Sequence, residues 1–225
     1  MTLPLVTAAV AGVLLIWLAR SMWLAAARRK AARAGYFDAL HPLFDRMATR
    51  QQPTGFPRMT GYRGALAFDI QALPDALTFR KLPSLWVMVT LPAPLPLGAT
   101  LDIMTRPTGQ EPFSHFPQLS HALPCPEFLP EGTGLRSDDP RGLPPEALVA
   151  RHSGIFRDPR VKELILSPKG LRVVLQGDEA DRGKYLLFRD AELGREPLAA
   201  ARVAPLLHSL VALRDDLLAL SRNAA

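Results

Sequence analysis

Apolar residues recur along this chain in three rhythms, and each predicts a different kind of element. The first rhythm is an unbroken run. Residues 2–19 carry no charge and are rich in Leu, Val and Ala, and the apolar character resumes after Arg20 through Met22, Trp23, Leu24 and residues 25–27. An 18-residue helix covers roughly 27 Å, close to the about 30 Å of bilayer hydrocarbon, so the run predicts one transmembrane helix. Trp17 and Trp23 suit the aromatic belt, and Arg20 has a stem long enough to reach the headgroups.

The second rhythm is helical. Phe37, Leu40, Leu43, Phe44 and Met47 recur at three- and four-residue steps, which predicts a helix over 31–47 with Gly35 and Pro42 as places where it could break. Residues 146–156 read as a short helix. Leu206, Leu210, Leu213, Leu217 and Leu220 predict a long C-terminal helix over 204–221, with Pro205 in its first turn. That stripe fits either a coiled-coil seam or a face packed on the chain's own sheet, and it is short for a seam.

The third rhythm is alternation. Residues 58–62 and 65–72 read as strands around a Gly64 turn, 77–81 as a short third strand, and 85–91, apolar on both faces, as a central covered strand. Residues 101–105 give a weaker strand. Residues 162–167 and 171–176, joined by Pro168-Lys169-Gly170, are the clearest hairpin, and 184–189 reads as one more strand. Between these, residues 106–145 hold nine prolines with no sustained period. Proline at that density removes ladder donors and blocks helix interiors, so an irregular excursion is expected. Phe113, Phe116, Leu119, Leu123, Phe128 and Leu129 give it enough apolar weight to pack over the sheet.

The expected class is α+β: an N-terminal transmembrane helix, then an antiparallel or mixed β-sheet domain with flanking helices and a long C-terminal helix. The organisation is an anchor and basic collar over 1–30, a juxtamembrane helix and linker over 31–55, and a single domain over 56–225 with its proline-rich excursion at 106–145.

Charge adds orientation. The chain carries 27 Lys and Arg against 21 Asp and Glu, but five of those bases (Arg20, Arg28, Arg29, Lys30, Arg33) lie in the first 35 residues, where there is no acid. The remainder has 22 bases against 21 acids and is nearly neutral, which excludes the basic stripe that a nucleic-acid backbone requires. Positive charge after the apolar run, not before it, argues for a retained anchor over a cleaved signal peptide. It also places the N-terminus outside and the domain in the cytoplasm. Arg28, Arg29, Lys30 and Arg33 either contact anionic headgroups or only set topology.

Candidate chemistry is sparse. Cys125 is the single cysteine, so no intrachain disulfide can form. His115, His121, Cys125 and Glu127 lie close in sequence but lack the tight ligand pairs of a zinc site. Cys125 with His121 is a thiol–imidazole pair only if the fold joins them. The loop 177–184 has the outline of a phosphate loop with the wrong spacing, Tyr185 where Ser or Thr is needed and three acids that repel phosphate. Ser153 and Ser167 lack the frame of a hydrolase nucleophile. Asp138-Asp139 and Arg157-Asp158 read as turn sequences. No residue set predicts a metal, another cofactor or a catalytic group.

Residues 77–92 and 158–170 resemble an uncharacterised family of bacterial single-anchor membrane proteins. The resemblance implies that anchor and domain belong together, and it brings no activity or site; the inner (cytoplasmic) membrane is the expected location. The expected function is a membrane-anchored cytoplasmic interaction or scaffold domain, an accessory subunit of an inner-membrane assembly whose partners are the bilayer and other membrane proteins. The competing expectation is a small-ligand-binding protein or enzyme with its site under 106–145.

Overall fold

The computed structural model describes residues 2–75, 82–188 and 191–224. Helix α1 (Thr2–Ala34) runs unbroken for 33 residues, about 50 Å at 1.5 Å per residue. Its most apolar window has a mean hydropathy of 1.8 and none of it is buried. One helix among the described residues is therefore long and apolar enough to span a membrane. Its apolar side chains have no fold to face, and Val13, Ile16, Trp17 and Trp23 are all exposed.

The helix does not continue to Met47 as the spacing suggests. It stops before Gly35, the chain makes a 3-10 turn over Asp38–Leu43 with Pro42 inside, and Phe44 is already extended. Strand β1 (Arg46–Gln51) follows. Proline ends helical hydrogen bonding here, and the apolar spacing is met by a turn that buries Leu40 and a strand that points Met47 inward.

The strands β2 (Pro57–Arg63), β3 (Leu66–Asp75), β4 (Ser84–Pro92), β5 (Leu101–Thr105), β6 (His121–Leu123), β7 (Thr133–Ser137), β8 (Val161–Ser167) and β9 (Gly170–Glu179) complete one sheet. Its nine strands stand in the order β1-β2-β3-β4-β9-β8-β5-β7-β6, and every pairing is antiparallel. The strand read at 77–81 lies outside the described residues. The proline-rich excursion contributes two strands, β6 and β7, that extend the sheet at one edge. Their three and five residues are too short to show a period beside so many prolines.

Alternation divides the sheet's residues between two faces. Val87, Val89, Ile103, Leu164, Val173 and Leu175 belong to the main core. Helices α2 (Glu146–His152) and α4 (Ala200–Ala224) cover it. Leu206, Leu210, Leu213 and Leu217 of α4 are buried there and Leu220 is exposed, so the leucine stripe serves the chain's own core. Trp86, Met88, Met104 and Val174 face the other way, where Phe113 and Phe116 of the proline-rich segment close over them. The rings of Trp86 and Phe113 lie 4.8 Å apart.

The strand expected at 184–189 is instead a helix, α3 (Arg182–Phe188), with residue 189 outside the described set. Its preceding strand β9 is paired on both sides, by β4 and β8, so a following strand has no free edge beside it. Asp181 starts the helix by accepting the Lys184 backbone N–H at 2.7 Å.

The β8–β9 turn puts Gly170 at φ 143°, with an added Cβ 2.4 Å from the Leu91 carbonyl oxygen of the neighbouring strand. Gly170→Ala is expected to cost roughly 2 kcal/mol, because both the backbone angle and the approach of β4 favour glycine. Urea denaturation of the full chain in detergent reads it as a lowered midpoint with unchanged slope.

Candidate functional site

Two regions concentrate interactions beyond ordinary core packing. The first is the root of α1, where the helix enters the domain. Arg33 donates from Nη1 to the Thr54 carbonyl at 3.1 Å, and its guanidinium lies 5.1 Å from the centre of the Phe56 ring. The stem of Lys30 lies against Gly55. Two residues past the helix, Tyr36 meets the fully buried Phe56 edge-on at 5.4 Å, and the Tyr36 carbonyl accepts the Leu198 N–H at 2.8 Å. The Tyr36 hydroxyl lies over Gly177, where an added Cβ would stand 2.6 Å from Oη and 2.7 Å from Val87 Cγ2. Only a residue without a side chain leaves that notch. The root of α1 is thus gripped by the β1–β2 loop, the end of β9 and the 191–199 segment together.

Beside this root a cleft of about 410 Å³ is lined by Tyr36, Asp178, Lys184, Arg195, Leu198 and Arg202, among others. Several of its charges are engaged within the chain. Asp178 accepts the Gly194 N–H at 2.8 Å, Arg202 donates to the carbonyls of Gly177 and Gln176, and Arg195 pairs with Glu192. These groups join β9, α4 and the 191–199 segment around Tyr36.

The second region lies beneath the proline-rich segment. The alternation that buries Leu101 and Ile103 in the core turns Asp102 to the opposite face, and Glu163 of β8 is there with it. Both are essentially inaccessible, at 2% and 0% exposure. Ser114 of the covering segment donates its hydroxyl to Glu163. Lys162 donates to the carbonyls of Thr105 and Arg106 at 2.7 and 2.6 Å and pairs with Glu111 at 3.3 Å. Glu111 also accepts the N–H and hydroxyl of Thr108 at 2.7 and 2.8 Å.

Burial pushes the Asp102 carboxyl well up, and the neighbouring Glu163 pushes it further. Burial also raises Glu163, against the pull of the Ser114 hydroxyl and Arg172. Glu111 goes the other way: burial opposes its charge, but Thr108 and Lys162 hold it below the ordinary glutamate range. Asp102 and Glu163 therefore retain protons at pH values where exposed acids have lost them, and one carboxyl donates to the other. The arrangement is a polar latch that ties residues 108–114 to β5 and β8.

The residues singled out by sequence lie elsewhere. His115, His121, Cys125 and Glu127 are all exposed, and among the described residues no group of three or more His, Cys, Asp or Glu is arranged to hold a metal. Asp138 accepts the Thr100 N–H at 2.7 Å and Asp139 pairs with Arg141 at 2.8 Å, so both close turns. Asp158 accepts the Arg160 N–H at 2.9 Å. Ser153 and Ser167 donate to the carbonyls of Ala150 and Gly170. In the collar, Arg28, Arg29 and Lys30 are exposed, and Arg33 is turned onto the domain.

Asp102, Glu111, Lys162 and Glu163 belong to no motif in the sequence. The available signal was charge inside apolar strands: Asp102 between Leu101 and Ile103, and Lys162-Glu163 between Val161 and Leu164. Alternation reads such residues as solvent-facing unless something is known to cover that face. Comparison with protein-family models, characterised proteins and solved structures finds no match to this chain.

Proposed function

We propose that this chain is a single-pass protein of the inner (cytoplasmic) membrane, N-terminus out, whose α+β domain stands in the cytoplasm as an interaction or scaffold domain, an accessory subunit of a membrane assembly. The observation that carries the reading is the joint. An exposed apolar helix enters the domain without a flexible linker, and its root is fixed by Arg33, Tyr36 and Phe56. A tether for a diffusible activity needs no such fixation, whereas a domain that presents a surface to membrane-bound partners gains from a set orientation. Strand β1 begins ten residues beyond Tyr36 and stands at the end of the sheet, where its outer backbone groups are available to a partner strand. Arg28, Arg29 and Lys30 supply the headgroup contact, with Arg33 contributing from the position it holds against Thr54.

The competing reading, a ligand site under 106–145, draws on the buried carboxylates there and not on His115, His121 or Cys125.

Two measurements test the proposal. A C-terminal tag on the full chain is expected to resist protease in right-side-out cells stripped of their outer barrier, and its digestion would overturn the orientation. Crosslinking in intact membranes is expected to capture a discrete partner. A chain that stays alone after crosslinking overturns the interaction role.

A further inference from the structure

From the placement of α3, we infer that the domain has a second contact with the bilayer: Leu186 and Leu187 insert into the headgroup layer beside the anchor. The inference rests on the proposed reading of α1 as a membrane anchor and extends it from one attachment to two.

Exposure is the first observation. Leu186 and Leu187 are 60% and 77% exposed, and the only other large apolar side chains left so open among the described residues are those of α1 itself and Leu220 at 41%. Two adjacent leucines in water on a seven-residue helix bury nothing that would stabilise it. Each leucine gains on the order of 2 kcal/mol from full burial, and partial insertion recovers a share of that.

Position is the second, and it names the occupant. The cleft lined by Lys184 of α3 is also lined by Tyr36, two residues beyond the end of α1. The segment after α3 packs on the same root: Leu198 bonds the Tyr36 carbonyl and Gly194 lies against the Phe56 ring. Lys184 of α3 therefore lies beside the root of α1, at the end of the domain from which that helix leaves. From Ala27, the last of the apolar run, to Ala34 is seven helical residues, about 10 Å, comparable with the roughly 5–8 Å of headgroup layer on each side of the hydrocarbon. A modest tilt of α1 closes the remainder.

Charge is the third. Arg182 and Lys184 are exposed on the helix that carries the leucines, and Arg28, Arg29 and Lys30 are exposed on the end of α1. The bases of α1 favour an anionic leaflet, and on α3 exposed leucines stand beside polar Arg182 and Lys184 as on an interfacial segment, with Asp181 turned to the Lys184 backbone N–H.

The test uses the full chain with Cys125→Ser, since Cys125 is exposed and would take label. Single cysteines are introduced by Leu187→Cys, Leu14→Cys or Leu220→Cys, and each is given an environment-sensitive fluorophore. The protein is reconstituted in vesicles of three parts phosphatidylcholine to one part phosphatidylglycerol. The expected result is strong quenching at 187 by a headgroup-attached quencher with several-fold protection from aqueous iodide. Position 14 should answer only to a quencher deep in the acyl chains, and position 220 only to iodide. If 14 is buried in lipid while 187 behaves like 220, the second contact is overturned and the anchor stands. If 14 itself is open to iodide, both fall. Protection at 187 from both lipid and aqueous quenchers means that protein covers the leucines, and that also overturns the inference.

Discussion

Phe56→Ala is expected to destabilise the domain by about 3–5 kcal/mol and, at the same time, to free the anchor from it. Phe56 is fully buried, meets Tyr36 edge-on, carries the Arg33 guanidinium over its face and has Gly194 against its edge. Truncation thus opens a cavity where the helix, the β1–β2 loop and the 191–199 segment meet. Two readouts separate the effects. Denaturation of the full chain in detergent gives the stability loss. Limited proteolysis under native conditions is expected to gain a cut between Ala34 and Arg46, several-fold faster than in the parent protein. Leu213→Ala removes a buried side chain from α4, remote in sequence from the joint, and should lower stability without creating that cut. If both variants are cut alike, the joint is no more than part of the general core, and the rigid-presentation argument loses its basis.

How far the sequence foretold this structure depends on the range over which each signal acts. The long apolar helix α1, the β2–β3 hairpin, the central strand β4, the β8–β9 hairpin and the α4 leucine stripe are legible because each is written in a local pattern over six or more residues. The errors arise where a local pattern has two solutions and long-range pairing chooses between them. Residues 184–188 are as good a strand as a helix by composition, and it is the saturation of β9 by β4 and β8 that leaves them helical. Met47 suits a helix at four-residue spacing from Leu43, and it suits β1 equally once the helix has ended before Gly35. The latch was hidden for a related reason. Asp102 and Glu163 are 61 residues apart, and neither reads as buried until the proline-rich segment is known to cover the β5–β8 face. The root of the anchor was partly visible, since Arg33 belonged to the collar, but its engagement with Thr54 and Phe56 follows from the turn at residues 35–43.

Asp102→Asn is expected to raise stability at alkaline pH and to flatten its pH dependence. In the folded chain Asp102 is pushed up to about 9 by burial and by Glu163, while an unfolded aspartate titrates near ~3.9. Between those values the folded state holds a proton that the unfolded state has released, so stability falls as pH rises through the window. The contribution is complete below about pH 4 and is lost by about pH 9. Glu163, also raised by burial, acts in the same direction. Glu111 has the opposite sign, since its lowered value supplies stability that disappears only as the solution becomes acidic. Each pH unit of unmatched protonation is worth about 1.4 kcal/mol, and water reaching the site on relaxation reduces the total. A gain of about 2–4 kcal/mol at pH 8.5 is the expected size for the amide, which donates to Glu163 without taking up a proton. Denaturation midpoints at pH 5.5 and 8.5 decide the matter. The parent protein should lose stability across that interval and the Asn variant should lose much less. A variant that is weaker than the parent at pH 8.5 would instead mean that Asp102 is ionised and held by Arg172, whose guanidinium is already bonded to Thr90 at 3.1 Å and whose charge favours the ionised form of Asp102. The latch would then be an ion pair, and Arg172→Met, not Asp102→Asn, would release the segment at 108–114.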